Sequence, residues 1–164
     1  MRSVVLDEKT VWHSLEEIPD PEIPVLSIVD LGILRKVSVM ESDGGQQQAD
    51  VTITATYTGC PAMDMIAAEI RAKLHALGFQ KINIIRSVSP AWTTAWMTEA
   101  GKEKLREYGI APPDKRFSIP ADGVACPRCG STHTALLSEF GSTACKALYR
   151  CEDCLEPFDY FKCH

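Results

Sequence analysis

The chain has 164 residues and a formal net charge of −5, with 17 Lys and Arg against 22 Asp and Glu. This acidic balance is spread without blocks of charge and argues against a basic surface for nucleic acid. No stretch approaches the roughly twenty apolar residues of a membrane helix, and the N-terminus lacks a charged-then-apolar export signal. We therefore expect a cytoplasmic protein that binds neither nucleic acid nor membrane and keeps its seven cysteines reduced.

Mixed α and β patterns run through residues 1–113, which we expect to form one α+β domain. Helices are expected at 8–17, which ends before Pro19, at 61–77, where apolar side chains recur at helical spacing, and at 98–108. Strands are expected at 34–40, 49–57 and 81–88, and the turn signal at 42–45 joins the first two as a hairpin. The pattern predicts a small three-stranded mixed sheet packed by helices.

A proline-rich loop precedes the first strand and carries three carboxylates, those of Asp20, Glu22 and Asp30. These groups could be metal ligands. Alternatively, Asp20 and Asp30 cap turns or a helix through their side chains, which is the usual role of aspartate beside proline and glycine. From the residue chemistry alone, capping is the favoured interpretation.

Cys60 lies where the second strand meets the long helix. Because proline is favoured at the first helical position, Pro61 predicts that Cys60 is the N-cap, where free amides and the helix dipole favour negative charge. We expect a thiol pKa below the ordinary value of about 8.5, which suits a nucleophile or a metal ligand. The alternative is a small buried cap residue. Asp64, one turn into the helix, would oppose the thiolate if its side chain pointed the same way.

The polar, proline-punctuated segment 114–122 is expected to be a linker to a second domain, 123–164. That domain carries two Cys-x-x-Cys pairs, Cys126 with Cys129 and Cys151 with Cys154. This doubled spacing is typical of a closed tetrahedral zinc site with a structural role, although rubredoxin-like iron uses the same four ligands. Because so short a segment cannot stabilise itself on its own core, the pattern predicts a metal-dependent zinc ribbon.

Several motifs resemble known families. The segments 20–24 (DPEIP), 30–33 (DLGI) and 56–61 (TYTGCP) are similar to those of iron–sulfur assembly factors typified by the cytosolic targeting-complex protein. The segments 89–97, 105–110, 139–151 and 156–163 resemble an accessory component of the bacterial phenylacetyl-CoA epoxidase system. This second likeness covers nearly the whole chain.

The resemblance implies a place in aerobic phenylacetate degradation, where a multicomponent oxygenase forms a ring epoxide on phenylacetyl-CoA. The chain has no Glu-x-x-His pair of a di-iron bundle, no ferredoxin cysteine spacing and no dinucleotide fingerprint. It is therefore expected to be a noncatalytic factor that helps to mature di-iron or iron–sulfur centres. Cys60 would contact iron or a cluster transiently, with Asp20 and Asp30 as companions. The expected partners are the epoxidase subunits, and a homodimer is left open.

Two other functions are compatible with these residues. In the first, the chain is a permanent noncatalytic scaffold subunit of the oxygenase, with Trp92 and Trp96 as interface anchors, although core packing is the simpler role for both. In the second, Cys60 is the nucleophile of a thiol enzyme, which the absence of a nearby histidine or resolving cysteine disfavours. Cys145 and the terminal Cys163 and His164 could form a second soft-metal site, but burial is the commoner role for Cys145.

Overall fold

The structure is a computed structural model that describes residues 6–41, 44–113 and 123–162. Its contacts divide the chain into two units, Met1–Trp92 and Thr93–His164. The helices are α1 (Glu8–Leu15), α2 (Ala62–Ala76) and α3 (Glu99–Tyr108). The strands are β1 (Leu34–Glu41), β2 (Gln47–Ile53), β3 (Lys81–Arg86), β4 (Ile110–Ala111), β5 (Thr134–Ser138), β6 (Lys146–Cys151) and β7 (Pro157–Phe161).

The first unit contains the predicted three-stranded mixed sheet, in the order β1-β2-β3. β2 pairs antiparallel with β1 and parallel with β3, and α2 makes the crossover that a parallel pair requires. Ala49, Val51 and Ile53 alternate on the buried face of β2, as the period of two predicts. The fold-class prediction is thus confirmed for this unit. Residues 42 and 43 of the predicted hairpin turn lie outside the described residues.

The second strand is shorter than predicted, because it ends at Ile53 rather than at residue 57. Thr54 leaves the ladder: its amide donates to Ile33 O, and its hydroxyl donates to Ser87 O at 2.8 Å. Thr54 and Thr56 are also buried, although strand alternation predicts that they face solvent. The segment from residue 54 to Cys60 is therefore a loop, and the polar groups of Thr54 at its start are satisfied by Ile33 and Ser87.

The second unit holds a four-stranded sheet in the order β4-β7-β6-β5. β5, β6 and β7 form the antiparallel ribbon, and β4 adds to it in parallel with β7. Because α3 contacts β4, both elements belong to this unit, whereas the sequence places them before a boundary at 113. The predicted linker 114–122 lies outside the described residues.

The core of the ribbon is small and aromatic. Tyr149 stacks on Phe158 with ring centroids 5.9 Å apart and meets Tyr160 edge-on at 5.7 Å. The sulfurs of Cys126 and Cys151 belong to residues of the same buried cluster. With so few large apolar side chains, the packing depends on whatever holds these two cysteines in place.

Trp92 is a core residue of the first unit. It is buried, and its indole Nε1 donates to the carbonyl of Leu31 at 2.8 Å. The scaffold interpretation needs Trp92 as an exposed anchor, and the structure contradicts that role for this residue. Trp96 is half-buried in the short 3₁₀ turn Thr94–Trp96.

Candidate metal centre and thiol site

The four ribbon cysteines converge at one point. Their sulfur atoms all lie within 4.8 Å of one another, with 3.8 Å between Cys126 and Cys154 and 3.5 Å between Cys129 and Cys151. A tetrahedral ion with metal–sulfur distances of about 2.3 Å requires sulfur–sulfur separations of about 3.8 Å. A disulfide would bring two sulfurs to about 2.05 Å. The four thiols therefore fit a tetrahedral cation, as the spacing predicts.

Each knuckle is shaped by its backbone. In the first, the Cys126 amide donates to Ser131 O at 2.8 Å, and the Gly130 amide donates back to Cys126 O at 2.9 Å. In the second, the Cys151 amide donates to Glu156 O at 3.0 Å. The residue after each second cysteine has a positive φ, 76° at Gly130 and 64° at Leu155. Leucine thus occupies a left-handed position that favours glycine.

The sulfur of Cys151 is placed to carry negative charge. The amide of Cys154 lies 3.5 Å from it, and this hydrogen bond, with a second from the Asp153 amide, lowers the pKa of Cys151 to about 7. A deprotonated sulfur is the form that binds a metal ion. Backbone donors of this kind are a regular part of the environment of thiolate ligands.

The other cysteine of the ribbon that the structure describes is not part of this cluster. Cys145 is buried, and its sulfur lies 3.0 Å from the Thr143 hydroxyl oxygen. This agrees with burial, the commoner role for such a cysteine. Cys163 and His164 lie outside the described residues, so the suggested second site stays a prediction.

In the first unit, Asp20 and Asp30 act as capping residues. One carboxylate oxygen of Asp20 accepts the amides of Glu22 and Ile23 at 2.9 and 2.8 Å. Asp30 accepts the Ser27 amide at 3.0 Å, while the Ser27 hydroxyl accepts the Asp30 amide at 3.0 Å. Both aspartates are buried. These bonds correspond to the favoured interpretation of the sequence, in which the side chains hold the loop.

The position of Cys60 differs from the prediction. Pro61 is the N-cap of α2, so Cys60 precedes the cap. The thiol is half-buried, and burial raises its pKa above the ordinary value rather than lowering it. The amide of Ala62 does donate to the sulfur and lowers the pKa, as a helix N-terminus should, but desolvation outweighs this bond.

Two residues that the sequence patterns did not assign to this site complete it. The Tyr57 hydroxyl donates to Glu22 Oε1 at 3.0 Å and also hydrogen-bonds the Cys60 side chain. The negative charges of Glu22 and Asp20 raise the Cys60 pKa further, whereas Tyr57 lowers it. Burial and these two hydrogen bonds raise the pKa of Tyr57, so its hydroxyl stays protonated and donates. A tyrosine three residues before a cysteine gives no distinctive sequence signal.

The Asp64 side chain, which would oppose a Cys60 thiolate if it pointed toward the sulfur, is bound to Arg86 instead. Its carboxylate accepts a hydrogen bond from Arg86 Nη2 at 2.6 Å, across from the end of β3. Among the described residues, one group of three or more candidate ligands lies within 4.8 Å. This group is the four ribbon cysteines, called here the quartet. Cys60 therefore offers a single sulfur with carboxylates nearby, not a ready chelating site.

Comparison with known proteins shows which protein families the two parts of the chain resemble. Residues 8–84 match the model of the family described as "Iron-sulfur cluster assembly protein", and residues 111–162 match the "PaaD zinc beta ribbon domain". A solved domain of unknown function, DUF59, from Bacillus anthracis covers 60% of this chain and 90% of its own, with 26% identity and a TM-score of 0.52. The chain thus combines an iron–sulfur assembly fold with a zinc ribbon.

Two relatives narrow the assignment. A protein of Escherichia coli strain K12, provisionally named as the D component of 1,2-phenylacetyl-CoA epoxidase, is 51% identical over 93% of this chain and 91% of its own length. A Porphyromonas gingivalis protein named Fe-S protein maturation auxiliary factor is 33% identical over 63% of this chain and 91% of its own. The chain belongs to the family of the D component of phenylacetyl-CoA epoxidase. Within the described ranges, every helix is too short or too polar to traverse a lipid bilayer.

Proposed function

We propose that the protein is a noncatalytic accessory factor that helps to mature the di-iron or iron–sulfur centres of the phenylacetyl-CoA epoxidase. The observation that carries this proposal is the single half-buried Cys60 thiol, which lies beside Asp20, Glu22 and Tyr57 on an iron–sulfur assembly fold. Relatives named as Fe-S maturation auxiliary factors share this unit.

The electrostatics of Cys60 suit transient contact with a cation. Burial and two neighbouring carboxylates keep the thiol protonated at neutral pH, so it is a poor nucleophile when no metal is near. The same carboxylates attract iron, whose positive charge reverses the balance and favours the thiolate. Binding then releases the thiol proton to water. Since one sulfur holds a metal weakly, Cys60 can pass it on, with Asp20, whose charge acts on the thiol, as a candidate supporting residue. Asp30 supports the loop through its cap.

The ribbon has a separate role in this proposal. Zinc bound by Cys126, Cys129, Cys151 and Cys154 would have all four positions filled by protein, so it would stabilise the fold without reacting. Iron fits the same four sulfurs, and a metal assay distinguishes the two. The structural role of the ribbon metal does not depend on which iron species Cys60 contacts.

The proposed partners are the subunits of the epoxidase, in the cytoplasm, where thiols remain reduced. The alternative is a permanent noncatalytic scaffold within the oxygenase, which the name of the Escherichia coli relative favours. The two functions differ in stoichiometry after assembly. A maturation factor is needed while the oxygenase is produced and is then lost, whereas a scaffold stays bound.

The test is to produce the epoxidase subunits with and without this chain and to purify them anaerobically by gel filtration. We expect oxygenase that elutes without the chain, and iron content that falls when the chain is omitted during production. A complex that retains this chain stoichiometrically, with full iron and a loss of assembly when it is omitted, would establish the scaffold function instead.

A further inference from the structure

A bridge of side chains joins the two cysteine knuckles. Asp153 lies inside the second knuckle, between Cys151 and Cys154, and both of its carboxylate oxygens are bound by residues that follow the first knuckle. The Ser131 hydroxyl donates to Asp153 Oδ2 at 2.5 Å, and His133 Nδ1 lies 3.2 Å from Asp153 Oδ1. One side chain therefore ties the halves of the metal site together.

The backbone holds both ends of this bridge. The His133 amide donates to the Ser131 hydroxyl oxygen at 3.0 Å, which orients the hydroxyl toward Asp153. The Glu152 amide donates to the His133 carbonyl at 2.9 Å. The positions of the three side chains are thus fixed by hydrogen bonds from both knuckles.

The bridge also acts on a ligand sulfur. The amides of Asp153 and Cys154 donate to the sulfur of Cys151. Because the Asp153 carboxylate is anchored at both oxygens, the peptide groups on either side of it keep their direction toward that sulfur. Partners of metal ligands that act in this way commonly change metal affinity when they are removed.

We propose that Asp153, held by Ser131 and His133, is a positioning residue for the ribbon metal, and that it strengthens metal binding by fixing the spacing of the knuckles and the amides on Cys151. The inference rests on the proposed metal site at the four cysteines. Asp153 and His133 are largely exposed, with 57% and 73% of their side chains accessible, so their contact adds little to global stability. Its effect is on metal retention.

The test compares two acidic residues of the same knuckle. Asp153→Ala removes the bridge, whereas Glu152→Ala removes the same charge from a side chain that bonds Arg150 instead. Competition of the zinc-loaded full chain with a chromophoric chelator should show zinc affinity about tenfold lower for Asp153→Ala, at the low end of the range for such groups. Glu152→Ala should match the unmodified chain.

A second pair of variants gives a geometric readout. The visible bands of the Co²⁺-substituted protein report tetrahedral symmetry at the metal. Ser131→Ala should broaden and weaken these bands. Ser131→Thr should retain them, because threonine keeps the hydroxyl. These variants decide the question even if Asp153→Ala fails to fold. Equal zinc affinity in the two acidic variants, or cobalt spectra that Ser131→Ala leaves unchanged, would overturn the bridge. An unmodified chain that binds no zinc would instead overturn the metal site itself.

Discussion

Tyr57 donates its hydroxyl to Glu22 Oε1 over 3.0 Å, across thirty-five residues of sequence, and so links the proline-rich loop to the turn that carries Cys60. The same hydroxyl hydrogen-bonds the Cys60 side chain. The proton-donating group thus lies between a carboxylate and a thiol. The reactivity of Cys60 depends on the balance between them.

Replacing Glu22 should make Cys60 more reactive. The Glu22 charge raises the Cys60 pKa, so Glu22→Gln should lower it and increase the thiolate fraction at neutral pH. Tyr57→Phe should act in the opposite direction, since it removes a hydrogen bond that lowers the pKa. The Cys60 pKa of both variants is measured by alkylation with iodoacetamide at a series of pH values. Mass spectrometry of the Cys60 peptide follows the reaction. Asp64→Asn, whose carboxylate bonds Arg86, is the control and should leave the profile unchanged.

Leu155 in the second knuckle is strained, and relieving it should stabilise the ribbon. Its φ of 64° costs a non-glycine residue roughly 1–2 kcal/mol. Glycine would relieve this strain, but its greater conformational entropy in the unfolded chain offsets part of the gain. We expect Leu155→Gly to raise the free energy of unfolding by about 0.5–1 kcal/mol. The exposed leucine loses little packing.

The matched change is Gly130→Ala in the first knuckle, which introduces a Cβ at a φ of 76° and should destabilise by about 1 kcal/mol. Urea unfolding of the metal-loaded protein measures both variants. A loss of stability in Leu155→Gly would show that the leucine makes a contact that outweighs its strain.

Asp30 should behave as a cap and not as a ligand. Asp30→Ala leaves the Ser27 amide without its acceptor and should cost about 1–2 kcal/mol of stability. Asp30→Asn keeps an acceptor oxygen and should cost less. Urea titration compares them. Asn and Ala variants of equal stability, combined with iron-poor oxygenase from both, would instead assign Asp30 to metal transfer.

Removal of the ribbon metal should unfold that module alone. Cys126→Ser should release about one metal equivalent and expose the segment 123–162 to protease, because structural zinc provides the folding energy of such modules. The first unit should stay resistant, since its core contains none of the four ligands. Metal analysis by mass spectrometry, with limited proteolysis, checks this. Full metal content and full protease resistance in the variant would contradict the four-cysteine assignment.

The ribbon site and the mixed sheet could be predicted because their signals are local. Two residues between paired cysteines are enough to bring sulfurs together, and alternation along β2 is enough to show a buried face. Capping by Asp20 also follows from its neighbours along the chain, Glu22 and Ile23.

The features that the sequence did not predict depend on distant residues. β2 ends early because Thr54 bonds Ser87, and the Cys60 pKa is raised by burial and by charges from another loop. α3 belongs to the second unit because β4 pairs with β7, which is remote in sequence. The predicted lowering of the Cys60 pKa is wrong, because desolvation raises it by more than the Ala62 amide at the helix terminus lowers it.

The maturation function is tested most directly by the iron content of epoxidase produced together with Cys60→Ala. The variant should fold and keep its ribbon metal, since Cys60 lies outside the quartet. Cys145→Ala, which removes another cysteine outside the four-cysteine cluster, is the control. We expect iron-poor, slow oxygenase with Cys60→Ala and fully loaded, active oxygenase with Cys145→Ala. Oxygenase with full iron and full activity made alongside Cys60→Ala would contradict the role of this thiol, and the same result without the chain would contradict it for the protein.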